Sequence, residues 1–261
     1  MRFMGKTATK SIQRKVKDNI QRVRDRIAQA CSRANRDPAS VRLVAVTKSV
    51  DVEVIRVVIE AGLVDLGESR VQQLAQRAAM IAETQKRRRI LDGQHSAVAP
   101  VWHMIGHLQR NKVRSATQWA TIFHSVDSLR LAEEISSEAG KRNQVAEVFL
   151  QVNVAGEKSK HGIAVGAIEV FCEQIRALAG MRLIGLMGMM PLVDDAEEVR
   201  PLFRRLREIA EDLVTQGCVS SKVCELSMGM SNDFEVAIEE GATMVRVGTA
   251  LFEGLPVAKT G

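Results

Sequence analysis

Val41-Arg-Leu-Val-Ala-Val-Thr-Lys-Ser-Val-Asp-Val-Glu-Val-Ile-Arg-Val-Val-Ile-Glu-Ala61 holds both halves of a repeating unit. Residues 41–47 are nearly continuous in apolar side chains, as a strand covered on both faces requires. Residues 51–61 then follow with helical spacing. Outward from this stretch the same succession recurs. Apolar runs lie at 64–69, 101–108, 121–127, 147–154, 181–189, 224–230 and 244–251. Helix-period segments separate them, among them 129–141, 167–178, 197–215 and 233–240. Strand then helix, eight times over, predicts an α/β fold, a single (β/α)8 TIM barrel. An open doubly wound sheet is the alternative, because closure leaves no mark on the pattern. Ahead of the barrel, residues 11–36 read as an extra amphipathic helix. Ile12, Val16, Ile20, Val23, Ile27 and Cys31 recur there at steps of three and four, and Asp37-Pro38 ends it. One domain over 1–261 is expected, with its core at about 11–254.

Composition narrows the function classes. Hydrophobic residues make up 46% of the 261 and charged residues 26%, enough apolar content to exclude a disordered or fibrous chain. No apolar run approaches the roughly 18 residues that span a bilayer, and no apolar signal core follows the N-terminal charges. Four cysteines without CxxC spacing suit a reducing compartment, so a cytoplasmic protein is expected. Aromatics are 3% and tyrosine is absent, which leaves few platforms for stacking bases. The net charge of +6 then reads as a solvated surface, with neither nucleic acid nor membrane as partner. Residues 86–100 read as a basic loop facing away from the reaction side. Its competing use is an interaction patch through Arg87-Arg88-Arg89. A monomer is expected, since no long apolar helix face demands a partner.

In such barrels ligands bind at the C-terminal ends of the strands. The first strand runs into Lys48, whose amine at an apolar rim is expected to be partly desolvated and thereby nucleophilic. The seventh run carries Leu226-Ser-Met-Gly-Met-Ser231 and the eighth Val245-Arg-Val-Gly-Thr249. Glycines, hydroxyls and amides near a helix start can cradle a phosphate dianion. A lysine amine facing a phosphate cradle suggests pyridoxal 5′-phosphate (PLP) held as a Schiff base. A phosphorylated sugar or triose is the competing ligand.

Further segments carry a resemblance: Ala45-Val-Thr-Lys48, Gly67-Glu-Ser-Arg-Val-Gln72, Trp102-His-Met-Ile-Gly-His-Leu-Gln-Arg-Asn-Lys112, Val152-Asn-Val-Ala-Gly-Glu-Lys-Ser-Lys160, Gly185-Leu-Met187 and Thr243-Met-Val-Arg-Val-Gly-Thr-Ala-Leu-Phe252. With the seventh run they resemble the pyridoxal phosphate homeostasis proteins, from about Ser11 to Gly254. That family is similar in fold to the N-terminal barrel of alanine racemase, without its second, β-rich domain. The resemblance implies a protein that buffers PLP or delivers it to apo-enzymes, with no firmly established reaction. It makes Lys48 the Schiff-base lysine and lines the phosphate site with Ser227, Gly229, Ser231, Gly248 and Thr249. Arg246 would face the pyridine nitrogen, and His103, Asn153 and Met187 would border the ring. The family usually has asparagine where Ser69 stands, so a contact at Ser69 would run through water.

An arginine opposite the pyridine nitrogen gives it no proton, so the ring is a poorer electron sink. Alanine racemase uses a lysine and a tyrosine on opposite faces, and this chain has no tyrosine. A racemase or decarboxylase, the alternative function, would need a second acid–base group near Lys48, for which His103 is the candidate. No metal is expected. His103 and His107 lack the glutamate of an HExxH helix, and His124 and His161 have no ligand-like partners in sequence. Lys158 and Lys160 could attract an anionic cofactor. Cys224, opening a buried strand, is expected to be inert.

Overall fold

The computed structural model describes residues 6–92, 98–157, 161–219 and 224–256. Helix α1 (Lys6–Arg33) precedes β1 (Arg42–Val46), α2 (Val52–Glu60), β2 (Asp65–Glu68), α3 (Val71–Asp92) and β3 (Val101–Met104). Then come α4 (Val113–Ala116), β4 (Ala120–Val126), α5 (Leu129–Gly140), β5 (Ala146–Asn153), a two-residue β6 (Ile163–Ala164) and α6 (Ile168–Arg176). The chain continues through β7 (Met181–Gly188), α7 (Arg200–Thr215), β8 (Glu225–Ser227), α8 (Phe234–Glu239), β9 (Met244–Val247) and α9 (Thr249–Phe252). Parallel pairing runs β4-β3-β2-β1-β9-β8-β7-β5, and a further pairing of β4 with β5 closes the ring. These are the eight strands of the expected barrel. The small β6 lies beside the end of β5 as an addition.

Strand parity explains why the runs look apolar throughout. Successive side chains of a strand point to opposite faces, and in a barrel both faces are buried. Val44, Ile122, Phe149, Met187 and Met244 form a small cluster of their own inside the ring. Their neighbours Leu43, Ala45, Phe123, Val148, Leu150, Leu186, Val245 and Val247 belong to the larger core beneath the helices. Helix α1 buries the predicted stripe, Val16, Ile20, Val23, Ile27 and Cys31, in that outer core. Asn19 Nδ2 donates to Leu251 O at 2.9 Å and Glu253 O at 3.0 Å, and Arg26 pairs with Glu235 at 2.6 Å. The extra helix thus braces α8 and α9, the elements that follow β8 and β9.

Three boundaries differ from expectation. Residues 86–92 are the last turns of α3, not a loop, and there Arg87 pairs with Glu83 one helical turn earlier and Arg88 with Glu60. The eighth run stops as a strand at Val247, because Gly248 (φ −120°, ψ −75°) leaves the extended region and Thr249 opens α9. The seventh stops at Ser227, ahead of Gly229 at φ +91°. Lys158 and Lys160 lie outside the described residues. Among the described residues no helix is long and apolar enough to cross a membrane.

Candidate functional site

Lys48 sits in a single 3-10 turn, Thr47–Ser49, at the C-terminal end of β1. Its side chain is exposed, which corrects the expectation of partial desolvation. The turn beneath it is clamped from α3. Arg77 donates from Nη1 to Thr47 O (3.0 Å) and from Nη2 to Val50 O (2.9 Å) and Lys48 O (3.4 Å). The same Nη1 meets Glu68 Oε1 at 2.5 Å, and Thr47 Oγ1 donates to that oxygen at 2.5 Å. Glu68 is fully buried, and its Oε2 has no hydrogen-bond partner among the described residues. Burial pushes its carboxyl above the ordinary range, against the hydrogen bond of Thr47 and the charges of Arg77 and Lys48. Sequence reasoning quoted Glu68 within a motif but missed Arg77. A signal exists: Arg77 lies in the buried stripe of Val71, Leu74, Ala78 and Ile81, where an unpaired arginine would not be stable.

The loops after β8 and β9 meet beside this turn. Ser231 Oγ accepts from Gly248 N (3.2 Å) and Ala250 N (3.4 Å). Asp233 Oδ1 accepts from Met230 N at 2.6 Å. At Gly229, whose φ is +91°, a Cβ would lie 2.7 Å from Ala237 Cβ and 2.9 Å from Phe234 Cα. At Gly248 a Cβ would lie 3.3 Å from Val46 O, so the last loop rests directly on the end of β1. Thr249 is exposed at the start of α9.

Below the mouth the barrel interior holds a continuous polar chain. Arg246 donates to Ser227 Oγ (2.5 Å) and Gly188 O (3.0 Å). Ser227 Oγ lies 2.7 Å from His124 Nδ1, His124 Nε2 lies 3.0 Å from His103 Nδ1, and His103 Nε2 lies 3.0 Å from Asp65 Oδ1. A carboxylate only accepts, so Asp65 orients the whole chain. His103 Nε2–H donates to it, His124 Nε2–H donates to His103, and Ser227 O–H donates to His124. Burial lowers the proton affinity of both imidazoles, His124 most, and brings Arg246 down to about 10, still charged near neutrality.

The sequence-predicted residues therefore divide. Lys48, Gly229, Ser231, Gly248 and Thr249 come together at the mouth. Ser227, Arg246, His103 and Met187 are buried beneath it, and His103 has Asp65 and His124 as partners, where the sequence reading set it beside a ligand. Asn153 ends β5, donating to Glu157 O at 2.9 Å, while its buried Oδ1 has no partner among the described residues. Ser69 is half-buried after β2. His124, read as partnerless, is the middle of the polar chain, and His161 lies against His107 and Asp127. Burial pushes the Cys224 thiol up to about 12, in keeping with inert packing.

The chain matches the alanine racemase N-terminal domain family over residues 16–256. It is 40% identical over 235 residues to the pyridoxal phosphate homeostasis protein of Aquifex aeolicus, covering 90% of this chain and 96% of that one. This chain belongs to the pyridoxal phosphate homeostasis protein family. Among solved structures, a Bifidobacterium adolescentis protein superimposes with a TM-score of 0.83 at 37% identity, covering 97% of this chain and 98% of that one. PipY of Synechococcus elongatus, solved with PLP bound, has a TM-score of 0.72 at 34% identity, covering 87% of this chain and 99% of PipY. A Helicobacter pylori diaminopimelate decarboxylase, 14% identical with a TM-score of 0.60, covers 88% of this chain and 62% of its own; it shares the fold alone.

The mouth of this homeostasis-family barrel fits the group that the family name implies. An exposed primary amine stands beside a loop pair whose close packing at Gly229 leaves no room for a side chain. A buried cation lies below, held by Ser227 and Gly188. The polar chain also predicts a pH dependence. His103 and His124 have lowered proton affinity in the fold, so the unfolded chain binds more protons below its ordinary value of 6.5. Stability is complete above that pH and declines as pH falls. His124→Phe leaves the Ser227 hydroxyl proton and His103 Nδ1 without their partner and is expected to cost about 2–4 kcal/mol at pH 7. Urea unfolding should show a smaller loss between pH 7 and 5 in the variant than in the wild type. An unchanged slope would count against the buried neutral pair.

Proposed function

We propose that this chain binds PLP at the C-terminal mouth of the barrel, holds it as a Schiff base on Lys48, and serves in cytoplasmic PLP homeostasis by storing the cofactor or passing it to apo-enzymes. The observation that carries this reading is the placement of Lys48 on the turn after β1, against which the Gly248 loop packs. When bound, PLP supplies an aldehyde that an amine can capture, a phosphate dianion and a pyridine nitrogen.

Each of these has a counterpart in the chain. Lys48 offers the amine, and the Arg77 clamp fixes the backbone that carries it. Gly229, Ser231, Gly248 and Thr249 offer amides and hydroxyls for the phosphate. The Gly248 and Ala250 amides that donate to Ser231 Oγ support this reading. Arg246 faces the pyridine side as a permanent cation, anchored by Ser227 from below, and does not release a proton to it. Asn153, whose Oδ1 has no partner among the described residues, and Ser69 lie toward the rim, while His103 and Met187 support the floor. An exposed lysine suits a carrier that must load and unload. An enzyme of this type would exclude water and place a second acid–base group on the ring. With His103 committed to Asp65 and His124, that second group is not supplied by His103.

The test is an absorption spectrum of wild type beside Lys48→Ala, followed by borohydride reduction and peptide mapping. A band near roughly 420 nm that reduces onto Lys48, and is lost in the variant, is the expected result. A colourless protein that takes up no added PLP, or label fixed on another lysine, would overturn the reading.

A further inference from the structure

We propose that His107, Asp127 and His161 form a binding site for a zinc-class divalent cation, across the barrel mouth from Lys48. The three residues come from three consecutive strand ends. His107 follows β3, Asp127 directly follows β4, and His161 lies between β5 and β6. In the ring these strands stand opposite β8, β9 and β1, which carry the Lys48 side of the mouth.

The geometry is that of donors gathered around a common point. His107 Nδ1 lies 3.6 Å from Asp127 Oδ2, and His161 Nδ1 lies 4.0 Å from the same oxygen. One ligand atom from each residue falls within 4.8 Å of the other two. Both distances to Oδ2 exceed hydrogen-bond range, so neither imidazole has claimed the carboxylate. Zinc with nitrogen and oxygen ligands at about 2.0–2.1 Å in a tetrahedron sets its donors about 3.4 Å apart. The two nearer pairs need to close by well under 1 Å to reach that arrangement. The imidazole rings are stacked, with centroids 4.1 Å apart and planes 14° from parallel.

The frame around the donors is fixed. Gln151 Nε2 donates to His161 O at 3.2 Å, which ties the histidine to β5. The next residue, Gly162, has a φ of +127° and packs so closely that a Cβ would lie 2.8 Å from Asn153 N. Access is open, since the side chains are 43%, 14% and 62% exposed for His107, Asp127 and His161. Two histidines and one carboxylate leave a fourth position for water or an anionic ligand, the ligand count of zinc sites that exchange. Spacings of 20 and 34 residues match no sequence motif, and the two histidines meet only because the barrel closes between β4 and β5.

Titrating the purified full-length chain with zinc against a chromophoric chelator tests the site. One equivalent per chain is expected, with affinity reduced at least about tenfold in each of His107→Ala, Asp127→Asn and His161→Ala. The triple variant should lose that equivalent, while Lys48→Ala should keep it. Zinc should also raise the melting temperature of wild type and leave the triple variant unmoved. Should an alanine variant fail to fold, His107→Gln and His161→Gln replace it, judged by circular dichroism. Zinc held equally well by the triple variant, or no stoichiometric zinc on the wild type, overturns the proposal.

Discussion

Arg77→Ala is expected to lower stability by about 3–5 kcal/mol at pH 7, the cost of leaving a buried charge without its partner. The guanidinium pairs with Glu68, which is fully buried, and donates to three backbone carbonyls around the Lys48 turn. Its loss strands an acid whose proton affinity is already raised. A group raised in the fold contributes stability at low pH that is lost as pH climbs through its folded value. Without Arg77 that value rises further, so the variant should fall furthest behind wild type near neutrality. Urea unfolding at pH 7 and pH 5 should therefore show the gap narrowing in acid. Arg77→Met combined with Glu68→Gln should recover part of the loss, since no buried charge remains. A gap below about 1 kcal/mol at pH 7, or one that does not change with pH, would mean that the pair is not the buried clamp described. The same variant should also slow borohydride labelling at Lys48, because the turn loses its anchors.

Gly229→Ala is expected to cost about 2–6 kcal/mol and to weaken PLP uptake sharply. Two effects add. The residue holds φ at +91°, which side chains adopt at about 1–3 kcal/mol. Its new methyl would also meet Ala237 Cβ at 2.7 Å and Phe234 Cα at 2.9 Å, and overpacking costs a further 1–3 kcal/mol or so. Gly217→Ala separates the two. That glycine has φ +67° with nothing among the described residues within 4 Å of the added Cβ, so only the backbone strain is added. Thermal and urea unfolding should rank Gly229→Ala well below Gly217→Ala, and PLP absorbance should fall in the former alone. Equal losses in both would remove the argument that the β8 loop is held tightly against α8.

The legible parts of the molecule are those written in local spacing. Lys48 stood out because an apolar run ends in a lysine, and the two cradle loops because glycine and hydroxyls recur after two such runs. The extra helix was visible in its stripe of Val16, Ile20, Val23 and Ile27, which the structure buries. Residues 86–92 read as part of a loop because Arg and Lys are as much at home on an exposed helix as in a turn, whereas α3 runs to Asp92; residues 93–97 lie outside the described residues. His103 shows a different limit. On a strand buried on both sides, parity says that His103 faces opposite to Trp102 and Met104. It does not say which of the two faces is the barrel interior.

The sequence by itself determined the repeating strand and helix, the lysine at the first strand end, the glycine and hydroxyl loops at the last two, and the family. Tertiary structure alone decided what those elements meet. It closed the ring, turned Asp65, His103, His124, Ser227 and Arg246 into one oriented chain, placed Arg77 under Lys48, and brought His107 and His161 near the same carboxylate. The physical reason is that periodicity records only whether a side chain leaves water. A parallel barrel takes both faces of every strand out of water, so the identity of each partner is set by closure, strand register and the approach of residues far apart along the chain.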